Sequence, residues 1–424
     1  MTRSHFHPVL LALFCLVCPD FGWAQQDVPI AFTAPHIGSV RLHPEGAPLG
    51  GPFLELNGEA PLVLKFDDLS EDWPDYAWTM VHCNADWTEF SDLRDWDYID
   101  GWPPERLDQV DASFGGSVPF AHVTTAIPSR GVRPKRSGNY LLIVHSDGDP
   151  DDVVLMRRFI VYEQLADVDI VSRRPYEADK VPTHQRLEVE VTLPPGHRWS
   201  APMRDIRLTA LRNVDWTQGG YAVGASLVRG DDVRFDQDAQ LTFSGSDRWR
   251  SADLKSLSYL APGIAAIKES VSGDGPLWRI ALSPDASRRF RLQTSRPDLK
   301  GAYTVHNDRF DDVELTSDYL EVTFSLEHKD FGDVPPVYVF GALTGWAIDP
   351  AFRMAYQQES QTYTLTTRMK QGWYDYRYVT LDGGSAHAFE AEHAGTPNRY
   401  TVFVHAPAQD GYDRIIGMES QTFN

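Results

Sequence analysis

Apolar and polar residues alternate with a period of two along many short segments of this chain, with turn residues between them. Such alternation is typical of β-strands with one buried face, because successive side chains of a strand point to opposite sides of a sheet. Extended helical periodicity is scarce. The predicted strands are Leu62–Phe66, Tyr76–His82, Tyr140–His145, Leu155–Tyr162, Leu187–Leu193, Tyr319–Leu326, Val337–Phe340, Tyr374–Val379 and Tyr400–Val404.

The connections between these strands are short and rich in Gly, Pro, Asn and Asp, the residues that tight turns favour. Strands that follow one another through short turns pair antiparallel, whereas parallel strands need long crossovers. We therefore predict an all-β protein of tandem antiparallel β-sandwich domains of the Ig-like kind. The turns that carry this prediction are Ser137–Asn139, Asp147–Pro150, Pro194–Gly196 and Asp382–Gly384.

Two interruptions of the strand pattern divide the chain into units. The first is Glu163–Leu165, and the second is the polar, Pro-containing stretch Ser295–Asp298. A chain of 424 residues is long enough for two to four domains at about 100–200 residues each. We predict domains at residues 25–165, 166–297 and 298–424.

The first residues resemble a secretory signal peptide. A weakly basic start at Arg3 precedes the unbroken apolar run Val9–Cys18, which is too short to cross a bilayer. Small residues in Gly22–Ala24 predict cleavage before Gln25, so that residues 1–24 are removed on export. Lipidation at Cys18 is disfavoured because Leu16 and Val17 precede it.

Charge and cysteine content exclude several classes of partner and site. The 39 Lys and Arg against 60 Asp and Glu give a net charge of -21, which disfavours nucleic acid and anionic lipid as partners. No later segment is apolar for long enough to insert into a membrane. Cys83 alone remains after export, so we predict a buried structural thiol and no internal disulfide.

Motifs for catalysis, cofactors and resident metals are missing from the sequence, so we predict a protein that is not an enzyme, with no catalytic, cofactor-binding or metal-binding residues. Two weaker signals keep alternatives open. Asp67 and Asp68 are either a turn after the preceding strand or a carboxylate pair for glycoside hydrolysis. The acidic stretch Asp147–Asp152 is either a hairpin tip or the start of a calcium loop.

Tryptophans are concentrated in the first unit. Such rings either fill a sandwich core or, when exposed, stack on sugars and anchor protein interfaces. The sequence does not distinguish these roles for Trp73, Trp78, Trp87, Trp96 and Trp102.

Several sequence blocks occur in the same order as in one known protein family. The blocks are Phe66–Leu69, Val81–Trp87, Asp97–Gly101, Arg133–Pro134, Ser137–Leu142, Asp147–Pro150, Arg157–Phe159, Phe235–Asp236, Asp253–Leu257, Val337–Trp346, Lys370–Tyr376 and Tyr412–Gly417. They resemble the type IX secretion system plug protein family. The first-unit blocks are the most specific, while the segments 217–241 and 262–275 depart from the family pattern.

This resemblance implies a periplasmic protein, associated with the outer membrane, whose partner is the giant outer-membrane translocon β-barrel of that secretion system. Such a plug occupies the periplasmic opening of the barrel when no substrate passes. It docks on the barrel and does not insert directly into the bilayer. A gate of this kind needs no active site.

The third unit also resembles a second family. Its segments Val339–Trp346 and Gly372–Val379 are similar to glycogen-binding Ig-like modules, in which a tryptophan stacks on glucose. The alternative function is therefore a secreted or periplasmic α-glucan-binding protein. Trp346 and Trp373 are its candidate sugar-stacking residues, unless the same framework serves packing alone.

Overall fold

The structure is a computed structural model that describes residues 28–71, 73–146, 149–196, 199–236, 239–272, 275–293, 296–328, 335–381, 389–408 and 410–423. The predicted signal peptide lies outside the described residues. So do the predicted turn at 382–384 and the first half of the predicted turn at 147–150.

Short strands make up about half of the described chain, and helical segments are few and short. The helical segments are α1 (Asp95–Tyr98), α2 (Pro202–Asp205) and α3 (Val313–Thr316), with single 3-10 turns at Trp216–Gln218, Ala239–Leu241, Ala342–Thr344 and Pro350–Phe352. The strands are β1 (Ala31–Thr33), β2 (Ile37–Pro44), β3 (Phe53–Glu55), β4 (Leu62–Asp68), β5 (Tyr76–Cys83), β6 (Ile99–Gly101), β7 (Glu105–Arg106), β8 (Val110–Ala112), β9 (Ala121–Ile127), β10 (Val132–Pro134), β11 (Gly138–Ser146), β12 (Val153–Tyr162), β13 (Asp167–Arg173), β14 (His184–Thr192), β15 (Arg207–Arg212), β16 (Gly220–Gly224), β17 (Leu227–Arg229), β18 (Asp232–Phe235), β19 (Thr242–Ser244), β20 (Arg250–Asp253), β21 (Ile264–Ser272), β22 (Gly275–Leu282), β23 (Tyr303–Val305), β24 (Tyr319–Glu327), β25 (Val337–Phe340), β26 (Ala355–Gln357), β27 (Thr362–Lys370), β28 (Gly372–Thr380), β29 (Asn398–Pro407) and β30 (Asp413–Phe423).

The first sandwich packs two sheets face to face. One sheet has the strand order β1-β12-β11-β5-β7, with β3 parallel to β12, and the other has the order β2-β4-β9-β8. Inward-facing residues of both sheets share one core, which includes Phe66, Trp78, Tyr140 and Phe159. Alternation along each strand places these side chains in the core and their neighbours outside it.

Two further sandwiches follow the same plan. The second joins the order β13-β14-β18-β17 to the order β16-β15-β29-β30 around a core that includes Leu187 and Val402. The third joins β20-β28-β23, with β25 beside β28, to β21-β22-β24-β27-β26 around a core that includes Phe324 and Tyr376. The predicted all-β class and sandwich architecture are confirmed, and each predicted strand is present with small changes at its ends.

Strand pairing crosses the domain boundary that the sequence analysis placed at 297/298. Of the last two strands, β29 pairs with β15 of the second sandwich and β30 pairs with β29, so neither belongs to the third. Conversely β20 pairs with β28, and β22 lies parallel to β24, so β20, β21 and β22 belong to the sheets of the third sandwich. The polar residues 296–298 therefore lie in a loop within the third sandwich.

Candidate functional site at the junction of the sandwiches

A single carboxylate connects the first and third sandwiches. Asp67 of β4 accepts a hydrogen bond from His122 Nδ1 at 2.6 Å on Oδ1. On Oδ2 it accepts from the Tyr319 hydroxyl and from Lys370 Nζ, each at 2.7 Å. The side chains of Asp67 and Lys370 are both 0% exposed. These four side chains form a buried group that we call the Asp67 junction. Their hydrogen bonds and the Asp67–Lys370 ion pair compensate the cost of removing the two charges from water.

A second carboxylate reinforces the same junction from α3. Glu314 accepts two hydrogen bonds from the Arg41 guanidinium, at 3.0 and 2.6 Å, and one from Lys65 Nζ at 2.9 Å. Burial alone would raise the pKa of Glu314, but the bonds and charges of Arg41 and Lys65 outweigh it and hold that pKa well below its usual range. Glu314 is therefore a charged bridge between the sandwiches.

The interpretation of Asp67 and Asp68 as a turn is wrong. Both residues continue β4, because Asp68 pairs with Ile37 on one side and Asp67 pairs with His122 on the other. Adjacent side chains of a strand face opposite ways. The Asp68 carboxylate accordingly accepts from the Tyr76 hydroxyl at 2.8 Å, within the first sandwich, whereas Asp67 faces the third. The two carboxylates do not converge on one substrate position.

A second clamp joins the first sandwich to β30. Arg414 donates to both carboxylate oxygens of Glu163, at 3.0 and 2.6 Å. The Ser137 hydroxyl donates to Glu163 at 2.7 Å and accepts from the backbone N–H of Ile415 at 3.1 Å. Ser137 belongs to the block Ser137–Leu142, and Arg414 and Ile415 belong to the block Tyr412–Gly417. The blocks that carry the family resemblance thus make contacts between sandwiches.

Apolar side chains also pack between the first and second sandwiches. Trp87, Leu141 and Ile160 of the first sandwich form one cluster with Trp216 and Phe403 of the second. The rings of Trp87 and Trp216 meet edge to face, with centroids 5.6 Å apart. Large aromatic contacts of this kind resist sliding of one sheet over the other.

The family comparison covers the first sandwich. Residues 37–163 match the family model described as "Type 9 secretion system plug protein 1st domain". The first domain belongs to the type 9 secretion system plug family. The predicted family resemblance is confirmed for residues 37–163, and this plug domain coincides with the sandwich that carries Asp67 and Glu163. No curated protein matches the chain.

A solved structure resembles nearly the whole chain. It is the crystal structure of a hypothetical protein from Parabacteroides merdae ATCC 43184, at 2.30 Å resolution. The likeness covers 94% of this chain and 99% of that chain, with a TM-score of 0.86 and 22% sequence identity. This similarity shows that both chains share the three-sandwich fold.

The tryptophans of the plug domain divide into two groups. Trp78 and Trp87 are buried, at 0% and 1% exposure, whereas Trp73, Trp96 and Trp102 are 40%, 65% and 92% exposed. Trp73 lies shortly before β5, which begins at Tyr76. Trp102 lies between β6 and β7, and β7 pairs with β5 at the sheet edge. The alternation of β5 could have indicated the burial of Trp78, although the sequence analysis did not use it, but loop residues such as Trp102 carry no such signal.

The candidate sugar-stacking residues are both half-buried. The Trp346 ring packs edge to face on Trp249 and Phe340, with centroids 5.7 and 6.0 Å apart. Trp373 Nε1 donates to Asp375 at 3.3 Å, and the Lys255 ammonium lies 5.5 Å from the Trp373 ring centroid. Each ring therefore has protein neighbours at the positions a sugar would compete for, and the stacking role stays a prediction.

The described ranges contain neither a metal-binding cluster nor a membrane-spanning helix. No group of three or more His, Cys, Asp or Glu side chains among those residues is arranged to hold a metal ion. None of the helices in the described part of the chain has the length and apolar character needed to cross a membrane.

Proposed function

We propose that this protein is a non-enzymatic periplasmic plug that binds the giant outer-membrane translocon β-barrel of the type IX secretion system and occludes its periplasmic opening. The observation that carries this proposal is the plug-family match of residues 37–163. The predicted signal peptide supports export to the periplasm, where the protein associates with the outer membrane through its partner.

The contacts between sandwiches support a steric role. A folded body blocks a wide pore only if its parts do not separate when solutes press on it. The buried Asp67–Lys370 pair joins the first sandwich to the third. The first and second sandwiches are joined by the Glu163–Arg414 clamp and by the Trp87–Trp216 contact. Together these contacts favour a chain that enters and leaves the barrel mouth as one body.

The plug domain offers a contact surface for the barrel. Trp96, in α1, and Trp102, between β6 and the edge strand β7, are both largely exposed. Exposed tryptophan is costly in water and is enriched at protein interfaces, where one ring buries a large area. The net charge of -21 keeps the released protein soluble and makes its docking sensitive to salt.

The proposal is tested in the organism that encodes the protein. A tagged copy is extracted in mild detergent and its partners are identified by mass spectrometry. We expect one very large outer-membrane barrel in stoichiometric amount, and a deletion strain whose outer membrane admits large polar antibiotics. Purification of the protein without a barrel, or unchanged permeability in a deletion strain with an intact translocon, would contradict the proposal. Retention on a glucan column together with the missing barrel would favour the α-glucan alternative.

A further inference from the structure

A cleft of about 180 Å³ lies where the three sandwiches meet. The exposed residues Pro48 and Leu49 stand at its rim, so it opens to solvent. A space of this size holds a group of several non-hydrogen atoms. Each sandwich contributes to its walls, which include Arg157 from the first, Arg399 from the second and Lys300 from the third.

The charge of this cleft is opposite to that of the chain. Acidic residues outnumber basic ones in the whole sequence, 60 to 39. In the cleft the ratio is reversed, because Asp298 is the sole acidic residue among the described lining residues. Asp298 is already engaged by Arg248 at 3.5 Å and by the backbone N–H of Trp249 at 2.9 Å. The basic lining residues are Arg41, Arg157, Arg158, Lys300 and Arg399.

Three of these cations have no carboxylate within ion-pair distance in the described part of the chain: Arg157, Lys300 and Arg399. Arg157 donates instead to the carbonyls of Phe32 and Met156, each at 2.8 Å. Burial lowers the pKa of Arg157 to about 10 and also lowers the pKa of Lys300. Partly buried cations that share a cleft repel one another, and an anion between them would remove that cost.

Backbone strain is concentrated around the same cleft. Four of its lining residues that are not glycine have positive φ: Asn213 at 53°, Val214 at 62°, Lys300 at 56° and Trp346 at 62°. Positive φ is rare outside glycine and is costly for a β-branched residue such as Val214. Strain of this kind persists where the surrounding structure holds a particular arrangement of side chains, often at a binding site.

We propose that this cleft binds a small organic anion, whose carboxylate or phosphate lies on Arg157, Lys300 and Arg399 and whose apolar part packs against Trp216 and Trp346. Arginine and lysine side chains that converge from separate elements provide charge-assisted hydrogen bonds to such a group. The two indoles provide the apolar wall. This inference is independent of the plug function, because it rests on the charges and the backbone strain of the cleft and not on the family match.

The test is calorimetric titration of the mature protein, residues 25–424, at constant ionic strength in chloride. Benzoate and phenyl phosphate share one ring and differ in the anion, and benzyl alcohol lacks the charge. We expect saturable one-to-one binding of benzoate or phenyl phosphate, and no saturable binding of benzyl alcohol. Binding of phenyl phosphate alone would assign a phosphate ligand, and binding of benzoate alone a carboxylate.

Two variants and a matched control decide where the anion binds. Lys300→Gln and Arg399→Gln are each expected to weaken binding about ten-fold, the effect of one charged hydrogen bond. Lys268→Gln removes the same charge from an exposed site on β21 and should leave binding unchanged. If Lys300→Gln fails to fold, Arg399→Gln carries the test alone. The proposal is overturned if neither anion binds, if benzyl alcohol binds equally well, or if Lys268→Gln weakens binding as much as the cleft variants.

Discussion

Lys370 Nζ lies 2.7 Å from Asp67 Oδ2, and both side chains are completely buried between the first and third sandwiches. The ammonium also lies 4.0 Å from the centroid of the Phe120 ring, so the plug domain surrounds it with a carboxylate and an aromatic face. Burial lowers the pKa of Lys370, but the charge and hydrogen bond of Asp67 oppose that shift. The lysine thus depends on the plug domain for its charge.

Removing one partner of this pair should destabilise the protein strongly. Lys370→Met leaves the Asp67 carboxylate buried without its cation, and the expected loss is about 3–5 kcal/mol in the free energy of unfolding. The matched control is Arg279→Gln, which breaks the exposed Arg279–Glu321 pair and should cost no more than about 1 kcal/mol. Urea unfolding monitored by tryptophan fluorescence measures both.

The double variant Asp67→Asn, Lys370→Met separates charge from packing. Because it removes both charges, it should recover part of the stability lost in Lys370→Met. Equal losses in Lys370→Met and Arg279→Gln would show that the buried pair contributes no more than a surface pair. That outcome would remove one of the contacts that support a rigid plug.

The strands of this fold were predicted well because alternation and turn residues are local properties of the sequence. Alternation identified each of the predicted strands, and turn residues indicated antiparallel pairing. The role of Asp67 was not predictable, since its cation, Lys370, lies 303 residues away in the chain. Two adjacent aspartates in isolation have the composition of a turn, and it is the distant lysine that compensates the burial of Asp67.

The boundary at 297/298 was misplaced for a related reason. A period of two shows which face of a strand is buried but not which strand it pairs with. The strands β29 and β30 have the same alternation as their neighbours in sequence, yet β29 pairs with β15 and β30 pairs with β29. The cleft was missed as well, because Arg157, Lys300 and Arg399 come from three separate sandwiches.

His405 should make the protein less stable in mild acid. Burial lowers the pKa of His405 to about 4, below its ordinary value of 6.5. Between these two values the unfolded chain binds a proton that the folded protein excludes, so stability falls as the pH falls from about 6.5 to about 4. We expect the stability difference between the wild type and His405→Gln to shrink on going from pH 7 to pH 5. An unchanged difference would show that His405 titrates normally.

Asp375 should have the opposite effect. Burial, with the nearby charge of Asp298, raises the pKa of Asp375 to about 7. The folded protein therefore holds a proton there that the unfolded chain releases above about 4, and stability falls as the pH rises towards 7. Relative to Asp375→Asn, the wild type should be more stable at pH 5 than at pH 7.5, as measured by urea unfolding at both values. The opposite trend would contradict the raised pKa.

Cys83 should be inert in the folded protein. Its side chain is 1% exposed, and burial raises the pKa of the thiol to about 12, so almost no thiolate forms at neutral pH. The predicted buried thiol is confirmed in its burial. We expect the mature wild type to react with a disulfide reagent only after denaturation. Ser360→Cys, at an exposed site, should react within the mixing time, and equally fast labelling of Cys83 would contradict its burial.

Trp102 should matter for docking and not for folding. The side chain is 92% exposed, so Trp102→Ala is expected to change the free energy of unfolding by no more than about 0.5 kcal/mol. If this ring contacts the barrel, the variant should co-purify with less than about a tenth of the wild-type amount, since central aromatic contacts are often worth 2 kcal/mol or more. Phe290→Ala is the matched control, because Phe290 is 91% exposed but lies outside the plug domain.

Equal recovery of the barrel with Trp102→Ala and Phe290→Ala would exclude Trp102 from the interface. It would leave the plug function to be judged by permeability alone. A loss confined to Trp102→Ala would assign the β7 side of the plug domain to the barrel mouth.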